Sequence, residues 1–160
     1  MGKARRYTQL AAGALHSVAR DGHVLEVDDE TSQRMANIRQ HGTTPELTVR
    51  AMVYALGRRY RTANRDLPGS PDLANRTRRW AIFVHGCFWH RHPGCRLTTT
   101  PSRNREFWLA KFRRNTERDA AAVARLEADG YQVAVVWECE TRDLHSLTRR
   151  LERWFDPSTR

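Results

Sequence analysis

One short segment, HGCFWHRHPGC at residues 85–95, combines metal ligands, proton carriers and two adjacent aromatic residues. Its Cys87, His92 and Cys95 have a spacing that suits three ligands of one zinc ion, which prefers thiolate and imidazole in a tetrahedral shell. The chain contains 3 cysteines, and the remaining one, Cys139, follows an apolar run at residues 133–137 that predicts a buried strand. Cys139 is therefore the predicted fourth ligand of a structural zinc site.

Two predicted strands would bring these ligands together. Residues 81–84 and 133–137 are apolar and rich in β-branched side chains, and a long stretch typical of a helix separates them. In such a βαβ unit the strands are parallel, so their carboxyl ends, just before Cys87 and Cys139, meet at one edge. Strands about 4.8 Å apart can be bridged by Zn–S bonds of about 2.3 Å. The alternative is three buried, reduced cysteines beside an incidental histidine.

The chain is strongly basic. Its 28 Lys and Arg residues against 18 Asp and Glu residues give a formal net charge of +10 over 160 residues. This length suits one domain, and this charge favours a polyanionic partner, the alternative being a solvated, arginine-rich surface. No run approaches the ~18 apolar residues of a membrane span. The basic start precedes an apolar stretch too short for a signal peptide, and thiols that cannot all pair suit a reducing compartment, so we expect a cytoplasmic protein.

The rest of the pattern predicts a basic arm followed by a single domain. Residues 1–27 lack a sustained period, which indicates a flexible or partner-ordered arm, and residues 28–160 form the domain. A helix is expected with Thr44 as its N-cap, Pro45 at its first position and Gly57 past its end. Further elements are an edge strand at 60–66, a strand beginning at 72, a strand at 80–85, a helix at 104–129 broken near Asn115, and a closing amphipathic helix from 144.

Six sequence blocks occur in an order that resembles a known family. They are MANIRQHGTTPE, DLPGSPD, FVHGCFWHRH, REFW, NTERD and VVWEC, and the match covers about residues 32–139. They resemble the very short patch repair endonucleases, bacterial enzymes that nick DNA at T·G mismatches left by deamination of 5-methylcytosine. The resemblance implies an α/β, restriction-endonuclease-like fold with a central mixed β-sheet flanked by helices, magnesium for hydrolysis and zinc for structure. The insertion of Pro93 and Gly94 before Cys95 departs slightly from the family pattern at the third zinc ligand.

A carboxylate-held divalent metal would supply the activated water and the stabilised leaving oxygen that phosphodiester hydrolysis needs. Asp72 follows Pro71 at a predicted turn-to-strand junction and is the carboxylate that we expect to serve. Restriction-type nucleases usually add an acidic residue and a lysine on the next strand, whereas this chain has Phe83, Val84 and His85 there. The resemblance implies that histidine takes over the proton work and that magnesium also binds the main-chain carbonyl of Val84.

The candidate proton carriers, His85 and His90, both lie in the block FVHGCFWHRH. His90 is the expected general base, because neutral imidazole can accept a proton near physiological pH. Asp119 would orient it, or is an ordinary residue of a surface helix. His85 is expected to contact the scissile phosphate or a metal-bound water. Glu46 matches a family acid that holds metal-bound water, and the alternative is that it only stabilises the first turn of a helix.

The aromatic pair suggests how a mismatch could be found. If the segment is extended, at least one of Phe88 and Trp89 faces outward. The resemblance implies that this pair enters the duplex beside the mismatch together with Met35, and that Trp108 contacts DNA. Unstacking a base step costs a few kcal/mol, and a weakly paired mismatch lowers that cost. The alternatives are that Phe88 and Trp89 cap the zinc site and that Met35 and Trp108 belong to the core.

These expectations define a magnesium-dependent endonuclease that nicks one strand of duplex DNA at T·G mismatches and starts very short patch repair. It is expected to be a monomer, with mismatch-repair proteins as candidate partners and no membrane association. Two alternatives stay open: a zinc-containing restriction-type nuclease on matched DNA, and a non-catalytic, zinc-stabilised DNA-binding module. The presence of Asp72, His85 and His90 favours catalysis over the second.

Overall fold

A three-stranded mixed sheet forms the centre of the protein. The structure is a computed structural model and describes residues 15–37, 41–156 and 158. The strands are β1 (His16–Arg20), β2 (His23–Val27), β3 (Leu73–Asn75), β4 (Trp80–His85) and β5 (Gln132–Trp137). The helices are α1 (Asp29–Ala36), α2 (Thr44–Ala55), α3 (Cys87–His90), α4 (Arg105–Ala128) and α5 (Leu144–Phe155), with a 3-10 helix at Glu138–Arg142.

The central sheet has the order β3-β4-β5. β4 is antiparallel to β3 and parallel to β5, with Val84 opposite Val136 and His85 opposite Trp137. Because α4 connects the two parallel strands, the predicted βαβ unit is confirmed. The carboxyl ends of β4 and β5 therefore lie side by side, which places the segments that follow them at one edge of the sheet.

Helices cover both faces of the sheet, so β4 is buried almost throughout. One face packs against α2 and α5, and its main core residues are Val49, Val53, Leu73, Ile82, Val136, Leu147 and Leu151. The other face packs against α4, through Phe83, Ala122 and Leu126. This architecture confirms the predicted α/β class with a central mixed sheet flanked by helices. None of the helices in the described ranges combines the length and hydrophobicity needed to cross a membrane.

Most predicted elements are present, with shifts at their ends. α2 begins at Thr44, and Thr43 rather than Thr44 is its N-cap. α4 is continuous through Asn115, so the expected break there is wrong, because the Asn115 amide donates to the Trp89 carbonyl at 3.1 Å instead of competing with its own helix. Residues 60–66 contribute only an isolated bridge from Arg61 to Ala74 instead of a strand.

A β-hairpin occupies residues 16–27, where the sequence predicted a flexible arm. Asp21 and Gly22 form a two-residue turn with φ values of 49° and 78°, which matches the geometry favoured by right-twisted strands. The side-chain amide of Asn104 donates to the Glu26 carbonyl at 2.9 Å and accepts from the Glu26 amide at 3.1 Å, which ties the hairpin to the start of α4. The prediction of an arm is therefore wrong for residues 16–27, and its part at residues 1–14 lies outside the described residues.

Candidate metal centre and active site

Four side chains converge where the parallel strands end. Cys87, His92, Cys95 and Cys139 each offer a ligand atom, and these atoms all lie within 4.8 Å of one another. The Nδ1 atom of His92 lies 3.7 Å from the Cys87 Sγ and 3.3 Å from the Cys139 Sγ. Ligands about 2.0–2.3 Å from a tetrahedral zinc ion are separated by roughly 3.4–3.8 Å. The structure thus brings together the four residues that the sequence singled out, at separations that fit a zinc ion.

Neighbouring residues hold these ligands in place. Cys87 begins α3 directly after β4, and its amide donates to the Glu138 carboxylate at 3.2 Å. The Trp137 ring stacks on the His92 ring with centroids 4.4 Å apart. Arg150 bonds both Glu140, in the 3-10 helix that carries Cys139, and the Val135 carbonyl of β5, each within 2.8 Å. Contacts made by β5 and by the segments that follow β4 and β5 therefore hold the ligand cluster in place.

The chemistry of the donor set also fits zinc. Burial raises the pKa of the Cys87 thiol to about 12 and also raises the pKa of Cys139. The pKa of Cys95 is lowered, chiefly by a backbone hydrogen bond from Leu97. Buried thiols that hold their protons need a strongly binding cation to displace those protons. Soft sulfur donors with one imidazole are what zinc prefers, whereas magnesium requires oxygen ligands.

A second group joins two histidines and a carboxylate. The rings of His85 and His90 stack with centroids 4.0 Å apart, and the Nδ1 atom of His90 lies 2.5 Å from Asp119 Oδ2. A carboxylate accepts a hydrogen bond, so Nδ1 is the protonated nitrogen of neutral His90 and Nε2 is the one that can take up a proton. Asp119 thus lies within hydrogen-bonding distance of His90, and its role as the orienting residue stays a prediction.

The surroundings of Asp119 and His85 lower the pKa values of both residues. Burial would raise the pKa of Asp119, but the hydrogen bond and charge of His90, together with a hydrogen bond from Arg118, lower the pKa below its usual range. His85 is buried, and burial together with the neighbouring His90 lowers its pKa to about 4. His85 is therefore neutral at physiological pH and can offer a hydrogen bond, whereas Asp119 is an anion beside His90.

Asp72 lies immediately before β3, and its Oδ2 atom accepts a hydrogen bond from the Val84 amide at 2.7 Å. Burial raises the pKa of Asp72 to about 6, against the lowering effect of that hydrogen bond, and the charge of Glu46 raises it further. A divalent cation would offset this crowding of carboxylates. In the described ranges Asp72 belongs to no cluster of three or more potential metal ligands. Magnesium does not require such a cluster, because it keeps several waters and binds substrate phosphate.

Val84 contacts Asp72 through its main-chain amide, whereas the prediction concerned its main-chain carbonyl. The role of its carbonyl in holding magnesium stays a prediction.

Glu46 is buried and has a structural role that is directly visible. Its carboxylate accepts hydrogen bonds from the Gly42 amide at 2.8 Å and the Thr43 hydroxyl at 2.9 Å, and it pairs with Arg50 at 3.2 Å. These bonds satisfy the start of α2. Glu46 also lines the cleft that contains Asp72, so a role in holding metal-bound water stays a prediction beside the capping role.

A single cleft of about 1290 Å³ contains most of the residues predicted to act. Its walls include the acid and base groups Glu46, Asp72, His85, His90 and Asp119, and the apolar residues Met35, Trp89 and Trp108. Phe88 is not among the lining residues; its ring packs against Phe112 at 5.1 Å and Trp108 at 5.7 Å. The segment is helical rather than extended, so these neighbouring aromatics do not point to opposite sides.

Among the polar residues of this cleft that the sequence analysis did not identify are Lys111 and Asn115. Lys111 places its Nζ atom 5.2 Å from the Trp89 ring and 5.4 Å from the Trp108 ring, and Asn115 holds the Trp89 carbonyl. Lys111, Asn115 and Asp119 follow one another at intervals of four residues, which places them on one face of α4. This spacing of four residues is the feature of the sequence that could have placed Lys111 and Asn115 beside Asp119.

Asp72 therefore lies immediately before β3, while His85 ends β4 and His90 lies in α3, and all three line one cleft. The model of the family described as "DNA mismatch endonuclease Vsr" matches residues 26–96. "Type II nicking enzyme V.XorIIP" of Xanthomonas oryzae pv. oryzae is 44% identical over 124 residues, covering 78% of this chain and 90% of that protein. "DNA mismatch endonuclease Vsr" of Escherichia coli K12 is 38% identical over 128 residues, covering 77% and 81%.

A further relative shows the same extent of similarity. "Type II nicking enzyme V.NmeAIP" of Neisseria meningitidis is 38% identical over 126 residues, covering 77% of this chain and 89% of that protein. The chain belongs to the Vsr DNA mismatch endonuclease family. Its substrate is accordingly DNA, which it hydrolyses as a mismatch endonuclease.

Proposed function

We propose that this protein nicks one strand of duplex DNA at T·G mismatches that arise from deaminated 5-methylcytosine, and so starts very short patch repair. The observation that carries the proposal is that one cleft holds both the hydrolytic groups Asp72 and His90 and the apolar side chains Met35 and Trp89. The names of the relatives, nicking enzymes and a mismatch endonuclease, support single-strand cleavage at a mismatch.

His90 acts as the base in the proposed reaction. Its Nε2 atom takes a proton from the attacking water while the water oxygen bonds to phosphorus and the bond from phosphorus to the leaving sugar oxygen breaks. The resulting imidazolium is stabilised by the Asp119 carboxylate at Nδ1. His85 is neutral and stacked on His90, so it holds the ring in place and offers a hydrogen bond to the scissile phosphate.

Asp72 would hold magnesium with the Val84 carbonyl, and Glu46 would bind its waters. When bound, magnesium would polarise the phosphate and stabilise the leaving oxygen. The fit rests on the buried carboxylates of Asp72 and Glu46, whose like charges a divalent cation would offset. Cys87, His92, Cys95 and Cys139 would hold a zinc ion that fixes the segment carrying His90 and Trp89, since the metal joins residues on both sides of that segment.

Recognition would depend on the apolar wall of the cleft. Met35 is 37% exposed on α1, and Trp89 lines the cleft beside Lys111 and Trp108. Aromatic and methionine side chains that enter a base step unstack it, which a weakly paired T·G step permits at lower cost. Phe88 would support Trp89 from behind, because their rings are in edge contact at 5.0 Å.

The test uses two duplexes that differ only in one base pair, T·G or T·A, each labelled on either strand. With magnesium, the protein should cut one strand of the T·G duplex and leave the T·A duplex intact. Equal cutting of both duplexes would favour a nuclease of matched DNA. Binding without cutting, in a zinc-loaded preparation with magnesium, would favour a non-catalytic DNA-binding module.

A further inference from the structure

The hairpin of β1 and β2 is fixed to the wall of the cleft. Residues 16–25 precede the segment that matches the family model, so this element is not part of what that match describes. Beyond the Asn104 bonds to Glu26, Asp21 pairs with Arg114 at 3.2 Å, and the His23 ring meets the Phe107 ring edge-on at 5.8 Å. Leu25 is buried. These contacts hold β2 and the turn against α4, and β1 is held through its pairing with β2.

One face of the hairpin is directed at the protein and the cleft. Arg20 pairs with His23 and Val18 pairs with Leu25, and directly opposed residues in an antiparallel pair share a face. Because His23 and Leu25 contact the body of the protein, Arg20 lies on the same inward face at the end of β1. The Arg20 side chain lines the large cleft and remains exposed. It forms no ion pair with any residue of the described part of the chain.

Arg20 adds charge to one end of the cleft that already carries a cation. Burial lowers the pKa of Lys111, and the nearby positive charge of Arg20 lowers it further. The positive charges of Arg20 and Lys111 repel one another and face the cleft. An anion bound between or beside them would offset this repulsion. In a cleft that takes duplex DNA, the anion available to these cations is the backbone phosphate.

We propose that the hairpin is an additional DNA-binding wall, in which Arg20 contacts a backbone phosphate of the duplex. This inference rests on the proposed function, because it assumes that the duplex occupies this cleft. The hairpin leads directly into α1, the helix that carries Met35, so both elements form one side of the cleft. A phosphate contact carries no information about the base sequence, so Arg20 strengthens binding to matched and mismatched duplexes alike.

The experiment compares the affinity of wild type, Arg20→Ala and Arg20→Lys for the T·G and T·A duplexes, by fluorescence anisotropy without added divalent metal over a salt series. Arg149→Ala is the matched control, because Arg149 is an exposed arginine of α5 that does not line the cleft. Arg20→Ala should weaken binding to both duplexes roughly five- to tenfold and reduce the slope of log affinity against log salt by about one. Arg20→Lys should recover most of the loss.

The outcomes separate this inference from the proposed function. Unchanged affinity and salt slope in Arg20→Ala, or a loss equal to that of Arg149→Ala, would overturn the phosphate contact even if wild type prefers T·G. A loss confined to the T·G duplex would also overturn it, because Arg20 would then act on the mismatch itself. If wild type shows no preference for T·G but Arg20→Ala loses affinity for both duplexes, the hairpin inference stands and T·G recognition fails.

Discussion

The side-chain amide of Asn64 donates to the main-chain carbonyl of Pro71 at 3.0 Å, directly before Asp72. The same amide donates to the Arg61 carbonyl at 2.9 Å, while its oxygen accepts from Arg76 at 3.1 Å. Asn64 is fully buried, so these bonds replace water completely. Asn64 therefore fixes the backbone from which the proposed metal-binding carboxylate extends.

Replacing Asn64 by Ala should loosen Asp72 as well as destabilise the fold. Each buried carbonyl left without a partner costs about 1–3 kcal/mol. At a temperature where the variant remains folded, the magnesium concentration for half-maximal nicking should rise several-fold. Asn75→Ala is the control, because the Asn75 amide also donates to a loop carbonyl, that of Arg59, but does not contact Pro71. A loss of stability with an unchanged magnesium requirement would limit Asn64 to a structural role.

His90→Ala should lower the nicking rate by about 10²–10⁴, the usual contribution of a general base. The rise of the rate with pH that reports deprotonation of the base should disappear. Asp119→Asn should lower the rate as well, since it removes the charge that stabilises imidazolium at His90. Glu117→Gln, an exposed residue on the same helix, is the matched control and should keep the wild-type profile. An unchanged profile in His90→Ala would transfer the role of base to another residue, with His85 tested next.

The carboxyl group of Asp72 predicts a stability change with a defined sign. Its pKa in the folded protein, about 6, lies above the value of about 3.9 in an unfolded chain. The folded state therefore binds more protons between these values, and the free energy of unfolding falls as pH rises from about 4 to 6. Without added divalent metal, Asp72→Asn should be more stable than wild type above pH 6 by at most about 2–3 kcal/mol, and equally stable below about pH 4.

Thermal unfolding over this pH range measures the effect. Asp66→Asn should instead be less stable than wild type at neutral pH, because the hydrogen bond from Arg76 lowers the pKa of Asp66. Added magnesium should stabilise wild type and not Asp72→Asn, since a ligand stabilises only the state that binds it. If Asp72→Asn is less stable than wild type at pH 7, or if magnesium stabilises it as much as wild type, the assignment of Asp72 as a buried metal ligand is contradicted.

One zinc ion per chain is expected in freshly purified, reduced protein. His92→Ala should lose the ion and unfold at a lower temperature, because the free energy of ligation contributes to folding. His145→Ala, at an exposed histidine of α5, should retain zinc and serves as the control. Elemental analysis gives the metal content, and circular dichroism gives the melting temperature. Protein that is folded and free of zinc, or that keeps zinc without His92, would disprove the assignment.

The sequence predicted the sheet and the ligand cluster because both depend on strong, local patterns. Continuous apolar runs mark strands buried on both faces, and parallel strands necessarily bring Cys87 and Cys139 to one edge. The hairpin was missed because its only signal is Asp21 and Gly22 between two short strands that bury little. The orientation of Phe88 depended on whether its segment is helical or extended, which a segment rich in metal ligands does not reveal.

The selectivity of nicking tests the central claim most directly. The measurement is the single-turnover rate on the T·G duplex divided by the rate on the T·A duplex, for wild type and Trp89→Ala. Trp154→Ala is the matched control, because Trp154 is a partly buried tryptophan that does not line the cleft. Stacking on a base contributes about 1–3 kcal/mol, so Trp89→Ala should reduce the ratio at least roughly fivefold, with zinc content unchanged. A wild-type ratio near one, or a ratio that Trp89→Ala leaves intact, would contradict recognition of the mismatch by this cleft.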